Sequence, residues 1–438
     1  MIDDKNEFKI KKVIAREVLD SRGNPTIEST VYLNNGISSS AIVPSGASTG
    51  IHEALELRDV ENKKRYFGKG VLKAIKNVVE IISPKIAGIS IFNQEEIDNT
   101  MINLDGTPNK SKLGSNAILS VSLACVRAAA MALDMPLYKY IHENYCLRMK
   151  DKYIMPIPLM NILNGGKHAG NKLAIQEFMI MPVGKKSFSE NLRVGVEVYH
   201  ELKNYLKTKF GRTAINVGDE GGFAPPLSLT KDAIDAILLS IDECGYTPGK
   251  DVFIALDAAA SVFYNEGKYE IDGKKLTKDD LMEFYIDLTN TYPILSIEDP
   301  FFEDDFQAFS ELNRKIGHKV QIVGDDLFVT NINRLKIGVK NHSANALLLK
   351  VNQIGTFTEA IQAAKYAINS KMNLIVSHRS GETEDPFIAD LAVGINSGQI
   401  KTGAPARGER TAKYNQLLRI EDSLDRSIYG YTIFSINK

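Results

Sequence analysis

Short apolar runs, each closed by polar or ionisable residues, recur along the chain from residue 157 onward. Ile157 to Leu163 leads into Asn164-Gly165-Gly166-Lys167-His168, Gln176-Glu177 opens Phe178 to Met181, and Ile215 to Val217 leads to Asp219-Glu220. Val252 to Leu256 ends at Asp257, Ile294 to Ile297 at Glu298-Asp299, and Gln321 to Val323 precedes Asp325-Asp326. Ala346 to Leu349 delivers Lys350, Leu374 to Val376 ends in Ser377-His378-Arg379-Ser380, and Gln399-Ile400 precedes Lys401. From Asp257 through Glu298, Asp325, Lys350 and Arg379 to Lys401 the spacings are 41, 27, 25, 29 and 22 residues. Each leaves room for one strand, one loop and one helix. Continuous apolar strands suit a parallel sheet buried on both faces. Their repetition predicts a TIM-type (β/α)8 barrel with its chemistry at the C-terminal strand ends. The runs near 157 and 176 stand too close for a crossover helix, so the barrel is expected to begin with an antiparallel pair.

The first third of the chain is patterned differently. Phe8 to Val43 alternates in short β-rich runs, with Asn34-Asn35-Gly36 as a hairpin turn. After the loop Pro44-Ser45-Gly46-Ala47-Ser48-Thr49-Gly50 the text turns helical: Val71 to Ile82, Gln94 to Leu104, and the alanine-rich Ser115 to Leu133. Strands followed by helices predict a small α+β domain. The charged stretch Arg148 to Lys152 divides the two, giving residues 1–148 as the N-terminal α+β domain and 149–438 as the barrel, within an α/β protein overall.

Composition narrows the function classes. A formal net charge of −1 offers no global field for nucleic acid or anionic membrane. Cys125, Cys146 and Cys244 are scattered and form no CxxC, which suits a reducing compartment and no disulfide framework. Cys125 reads as core filler. No apolar stretch follows the charged start, and no run of 18 apolar residues occurs, so neither a secretory signal nor a membrane span is expected. The expected setting is cytoplasmic.

The strand ends carry the candidate chemistry. Asp257, Glu298 and Asp325 would repel one another at one barrel mouth, and a hard divalent cation relieves that repulsion. A helix N-cap would explain any one of them; three in the same position on successive strands point to a metal. Zinc is disfavoured, since the seven histidines show neither HExxH nor Cys/His spacing. Lys350 leaves a buried strand, where desolvation and nearby positive charge would lower its pKa and make it a general base. Arg379 and Ser380 offer a forked cation and a hydroxyl to a phosphate or carboxylate, and Lys401 adds a point charge. A cationic half-site facing a metal half-site would suit a doubly anionic substrate. Asp219-Glu220 precedes a Gly pair, and one of the two is a candidate general acid. Gln176-Glu177 lies close enough in barrel order to bond it. The Ser45 to Gly50 loop is no Walker motif; its small residues suit a lid.

In order along the chain stand SGASTG, LGSNAIL, NGGKHAG, QEFMI, GDEGGFAP, SIEDP, VGDDL, LLKVNQIGT, SHRSGETED and IKTGAP. With them the sequence resembles the enolase family over essentially its whole length, in an archaeal flavour. The resemblance implies reversible dehydration of 2-phosphoglycerate to phosphoenolpyruvate with two Mg²⁺ ions per active site. It implies Lys350 as the base at C2 and Glu220 as the acid at the C3 hydroxyl, with Glu177 beside it. Asp257, Glu298 and Asp325 match the metal ligands, and Ser48 matches the lid residue that ligates the second ion. Arg379 and Ser380 match phosphate contacts, Lys401 the carboxylate side, and Gln176, His168 and His378 other substrate-pocket positions. The family also implies a homodimer or a larger assembly of dimers. Two departures stand out: Val262 where the family carries Glu, and Pro386-Phe387 where it carries a Thr pair. Relatives that act on acid sugars carry a Lys pair where this chain has Gln176-Glu177, and they lack the SGASTG loop.

Overall fold

A computed structural model describes residues 6–46, 50–432 and 434. Near the N-terminus, β1 (Ile10–Leu19), β2 (Pro25–Leu33) and β3 (Ser38–Ile42) form an antiparallel meander. The predicted turn between β2 and β3 is present, with Gly36 at φ +90°, where a side chain would be strained. The helix expected from residue 71 runs from Leu72 to Ile86 with a π-helical stretch at Asn77–Ile82. It is followed by α1 (Gln94–Asp105), α2 (Ser115–Ala132) and α3 (Leu137–Tyr145). Among the described helices α2 alone is long and apolar enough to cross a membrane. However, 83% of it is buried inside the protein, and it forms the spine of this domain. Its small residues let it lie close on the sheet, where Ser120 Oγ sits 2.6 Å from Ser29 Oγ of β2. Cys125 is fully buried on it, as core filler should be.

The barrel is closed by eight strands: β4 (Ile157–Asn164), β5 (Glu177–Pro182), β6 (Val252–Asp257), β7 (Ile294–Glu298), β8 (Gln321–Gly324), β9 (Ala346–Leu349), β10 (Asn373–Ser377) and β11 (Gly398–Lys401). Every residue of each of these strands is buried except Phe253, as the uninterrupted apolar runs require. The antiparallel start is also found. β5 runs against both β4 and β6, while the other neighbouring pairs are parallel. Reversal brings the beginning of β5, not its end, to the mouth, so Glu177 stands in register with Asp257 and Asn164. It also redirects the chain beyond the strand. After β5 the chain is at the far end of the barrel; α4 (Phe188–Phe210) climbs back and α5 (Thr230–Glu243) descends. The connection between these two helices therefore arrives at the mouth carrying Asp219-Glu220.

That geometry corrects one expectation. Ile215 to Val217 is not a barrel strand: Ile215 closes a 3-10 turn, and Val217 makes only an isolated bridge to Phe223. Three residues with a central Asn supply too little apolar surface to form part of the wall. The remaining helices of eight residues or more are α6 (Lys278–Thr291), α7 (Phe306–Ile316), α8 (Ile332–Asn341), α9 (Phe357–Asn369), α10 (Phe387–Gly394) and α11 (Gly408–Ser423), one after each of the last six strands. The long 41-residue interval between Asp257 and Glu298 is explained by a small antiparallel meander, Tyr264–Leu276, inserted before α6.

The N-terminal domain is bonded firmly to the barrel. The buried Asp98 carboxylate accepts from the Thr358 N–H (3.0 Å) and hydroxyl (2.6 Å), capping α9 from across the interface. Arg127 of α2 pairs with Asp385 at 2.6 and 3.0 Å. At the opposite end of the barrel from the mouth, the fully buried Asn396 donates to the carbonyls of Arg148 and Lys152, both at 2.9 Å. The Ile154 N–H donates back to its Oδ1 at 2.9 Å. One side chain thus ties the connecting segment to the barrel floor.

Candidate active site

The strand ends and the α4–α5 connection line one pocket, formed by His168, Gln176, Glu177, Glu220, Asp257, Ala259, Asp299, Asp325, Asp326, Lys350, Ser377, His378, Arg379, Ser380 and Lys401. Of the site residues expected from sequence three are missing from this wall, among them Asp219, the alternative acid, whose half-exposed carboxylate lies 3.9 Å from Arg22. Glu298 joins the cluster through Lys401, and Ser48 lies outside the described residues. Val262 sits in the turn Ala260–Val262 and does not line the pocket.

Lys401 occupies the centre of the acidic cluster. Its Nζ lies 2.8 Å from Asp257 Oδ2, 2.9 Å from both oxygens of Glu298 and 3.2 Å from Glu177 Oε2. β11 stands opposite β7 in the ring, so the lysine stem reaches over the barrel axis to its partners. Burial opposes its charge, but the three carboxylates hold it well above the ordinary lysine range. Lys350 in turn pairs with Asp325. The separate cationic and acidic halves expected from sequence are therefore interleaved. The expected lowering of Lys350 is also reversed. Burial does push it down, yet Asp325 beside it outweighs burial, and the proton is held more tightly than usual.

The acids bear the reciprocal strain. Glu298 and Asp299 are pushed well up by burial and by neighbouring carboxylates, and Asp326 is pushed up to about 8 by burial and Asp325. Asp299 was not singled out by its position in the sequence, although it abuts Glu298. Its carboxylate accepts from the backbone N–H groups of Asp325 (3.0 Å) and Asp326 (2.7 Å), at a residue with φ +42°. Asp299, Asp325 and Asp326 offer oxygens within 4.8 Å of one another. Together with Asp257 and Glu298 they form an all-oxygen, hard donor set of the kind a divalent cation such as Mg²⁺ takes. Acids held this far up release protons when a cation binds.

On the other wall Glu177, Glu220 and His168 form a second compact group. His168 Nδ1 is 3.8 Å from an oxygen of each acid, and Asn161 Nδ2 donates to Glu220 Oε2 at 3.0 Å. Burial and the facing Glu220 carry Glu177 well up. Burial acts on Glu220 in the same sense, but positive charge on the facing imidazoles of His378 and His168 acts to draw it well below the usual range. The two acids titrate as a pair. The Gln176 Oε1 atom is buried and accepts no hydrogen bond, leaving it available to a ligand hydroxyl.

Arg379 reaches the pocket from the end of β10, held by both oxygens of Glu53 (2.8 and 3.1 Å) and by Asn352 Oδ1 at 3.2 Å. Ser45, at the start of the lid loop, exchanges backbone bonds with Gly381 (2.8 and 2.9 Å), which ties that loop to the Arg379–Ser380 segment. Glu53, Asn161 and Arg410 were not legible as site residues, because nothing in their sequence neighbourhoods distinguishes them from surface charge or strand filler.

A barrel with one reversed strand, a mouth of convergent carboxylates and two buried lysines defines a class of metal-dependent enzymes that move protons beside carboxylates. The comparisons specify it further. The family description "Enolase, N-terminal domain" matches residues 10–141, and "Enolase, C-terminal TIM barrel domain" matches residues 152–434. An enolase of Methanocaldococcus jannaschii is 59% identical over 423 residues, covering 97% of each chain. Those of Pyrococcus furiosus (56%, 96% of each chain) and Methanopyrus kandleri (57%, 95% of this chain and 96% of the relative) are similarly close. The chain belongs to the enolase family.

Proposed function

We infer that this protein is a lyase that catalyses the reversible dehydration of 2-phosphoglycerate to phosphoenolpyruvate in glycolysis and gluconeogenesis. The observation that carries the reading is the single pocket in which Lys350, the Glu177–Glu220 pair and Arg379 converge on a carboxylate cluster. Asp257, Glu298 and Asp325, with Ser48 from the lid, hold magnesium in this reading, two ions per site. These residues would hold the cations, whose charge would offset that of Asp325 and so loosen its hold on the Lys350 proton, and would supply positive charge beside the substrate carboxylate.

The chain's own groups do the rest. Arg379 and Ser380 take the phosphate, and Lys401 faces the carboxylate. Lys350 removes the proton from C2, and the resulting charge develops beside Lys401 and the metal-bearing acids. Glu220 gives a proton to the C3 hydroxyl, which leaves as water, and Glu177 resupplies it. His168, His378 and Gln176 orient these groups and the substrate hydroxyl. A domain division at residues 148 and 149, a homodimer and a cytoplasmic setting belong to the same reading.

Ultraviolet absorbance of the conjugated product tests it. Adding 2-phosphoglycerate should give a rise that depends on Mg²⁺, and no metal-dependent rise would sink the assignment. The roles separate in deuterated solvent. Glu220→Gln should still exchange the C2 proton while failing to dehydrate, and Lys350→Ala should do neither. Normal exchange by Lys350→Ala would remove Lys350 as the base.

A further inference from the structure

Arg410 stands in the first turn of α11 with its side chain fully buried. Its Nη1 is 2.6 Å from His378 Nδ1 and 2.7 Å from the Arg379 carbonyl; its Nη2 is 2.7 Å from the Ser380 carbonyl and 3.1 Å from that of Asp219. Further along the same face Lys413, also fully buried, bonds Glu382 at 3.0 Å and the Thr383 carbonyl. The start of α11 therefore grips the segment that bears His378, Arg379 and Ser380 from behind, and Arg410 reaches the Asp219-Glu220 connection as well.

A guanidinium donates only and is not deprotonated in proteins. His378 Nδ1, facing Arg410, must therefore present a lone pair, which leaves the ring proton on Nε2. That nitrogen is 3.3 Å from Glu220 Oε2. We propose that Arg410 is a positioning residue that fixes His378 as the neutral, Nε2-protonated tautomer, so that the ring turns an N–H and not a charge toward Glu220. This rests on the reading of Glu220 as the acid.

The alternatives fail on chemistry. An imidazolium at this distance would pin Glu220 in its ionised form and leave it no proton to give. The other neutral tautomer would turn a lone pair toward the carboxylate. Only the neutral Nε2–H ring turns a donor toward the carboxyl without adding a charge that holds Glu220 ionised. Burial and the Arg410 charge act in the same direction, pushing His378 down to about 3 against the pull of Glu220. The same guanidinium bonds the carbonyls of Arg379, Ser380 and Asp219, and so holds the phosphate arm and the acid arm in one register.

The test uses full-length enzyme with ¹⁵N-labelled histidine. In the unsubstituted protein near neutral pH, His378 should show an unprotonated Nδ1 and a protonated Nε2; a protonated Nδ1 overturns the proposal. Arg410→Gln should lose that fixed tautomer and lower kcat on the order of 100-fold, the scale of a general acid. C2-proton exchange at saturating substrate should stay within about threefold of the parent, since the base is not touched, whereas KM rises as the carbonyls of Arg379 and Ser380 lose their anchor. Dehydration and exchange falling together would mean that Arg410 merely holds the fold, and the proposal fails. Arg410→Lys, which keeps the charge and one donor, should restore about a tenth or more of kcat. Should the Gln variant not fold, the parent tautomer and the Lys variant still decide. If Glu220→Gln itself loses exchange, the acid assignment falls, while the tautomer measurement judges the Arg410–His378 link independently.

Discussion

Glu53 grips Arg379 through both carboxylate oxygens, at 2.8 and 3.1 Å, across 326 residues of sequence. The pair joins the segment just after the Ser45–Gly50 loop to a guanidinium in the pocket wall. Both side chains are buried, and the Glu53 carboxylate also accepts from the Gly50 N–H at 3.0 Å. Gly50 and Arg379 are therefore positioned by one carboxylate.

Breaking a buried pair by neutralising one partner strands the other charge. Glu53→Gln is expected to cost about 3 kcal/mol or more of stability for that reason. Phosphate offers the stranded guanidinium a new anion, so millimolar phosphate should stabilise the variant more than the parent. Urea denaturation midpoints with and without phosphate check this; equal gains for both proteins would show that Arg379 is not the phosphate's partner.

Asp299 holds the backbone of Asp325 and Asp326 without being one of the expected metal ligands. Asp299→Asn replaces one accepting oxygen by an amide that cannot serve both N–H groups. Metal affinity should fall by about 10- to 100-fold, the usual effect of removing a group that orients a ligand. Calorimetric titration with Mg²⁺ measures it, and an unchanged dissociation constant would leave Asp299 a purely structural role.

The Arg127–Asp385 pair makes stability at the domain interface depend on pH. Burial raises the Asp385 carboxyl, but Arg127 outweighs it and the net shift is downward. A carboxyl depressed in the folded state contributes stability above its unfolded pKa of about 3.9 and loses it as pH falls through the folded value. Urea midpoints should therefore drop below about pH 4, and Asp385→Asn should flatten that part of the profile while lowering stability at pH 7. A variant with the parent's acid profile would assign the loss to other carboxylates.

Asn396 takes a left-handed backbone, φ +56°, and satisfies two carbonyls and one N–H of the connecting segment. Asn396→Ala loses those bonds and places an ordinary side chain at positive φ, for an expected cost of about 3 kcal/mol. Because the residue lies at the barrel floor, kcat at 25 °C should stay within about twofold of the parent. A large fall in kcat with unchanged stability would contradict both halves of this prediction.

The legible part of the site is set by where the chemistry sits. Asp257, Glu298, Asp325, Lys350, Arg379 and Lys401 each close an apolar run, and a parallel strand delivers its last residue to the mouth, so pattern and site coincide. Glu177 is readable for the opposite reason, as the opening of a run too close to its predecessor to be parallel. Ile215 to Val217 misleads because a polar pair after three residues imitates a strand end. Arg410 stays hidden, since an Arg in the first turn of a helix normally faces water, and only the fold shows it fully buried. The reversal of Lys350's expected shift has the same origin: run spacing predicts which groups share a mouth but not that Asp325 lies within contact of the ammonium.

The reversed strand β5 has an evolutionary consequence. Asp257 and Glu298 belong to hydrogen-bonded staves, and moving either means re-registering the wall on both sides. Glu220 hangs instead from an interhelical linker that exists at the mouth only because one stave is inverted. The linker touches the wall through Phe223, which exchanges backbone bonds with Ile162 and Asn164 of β4, and the rest of it can vary without cutting a rung between barrel strands. A scaffold built this way fixes the carboxylates on its staves by architecture and leaves the Glu220 linker freer to vary.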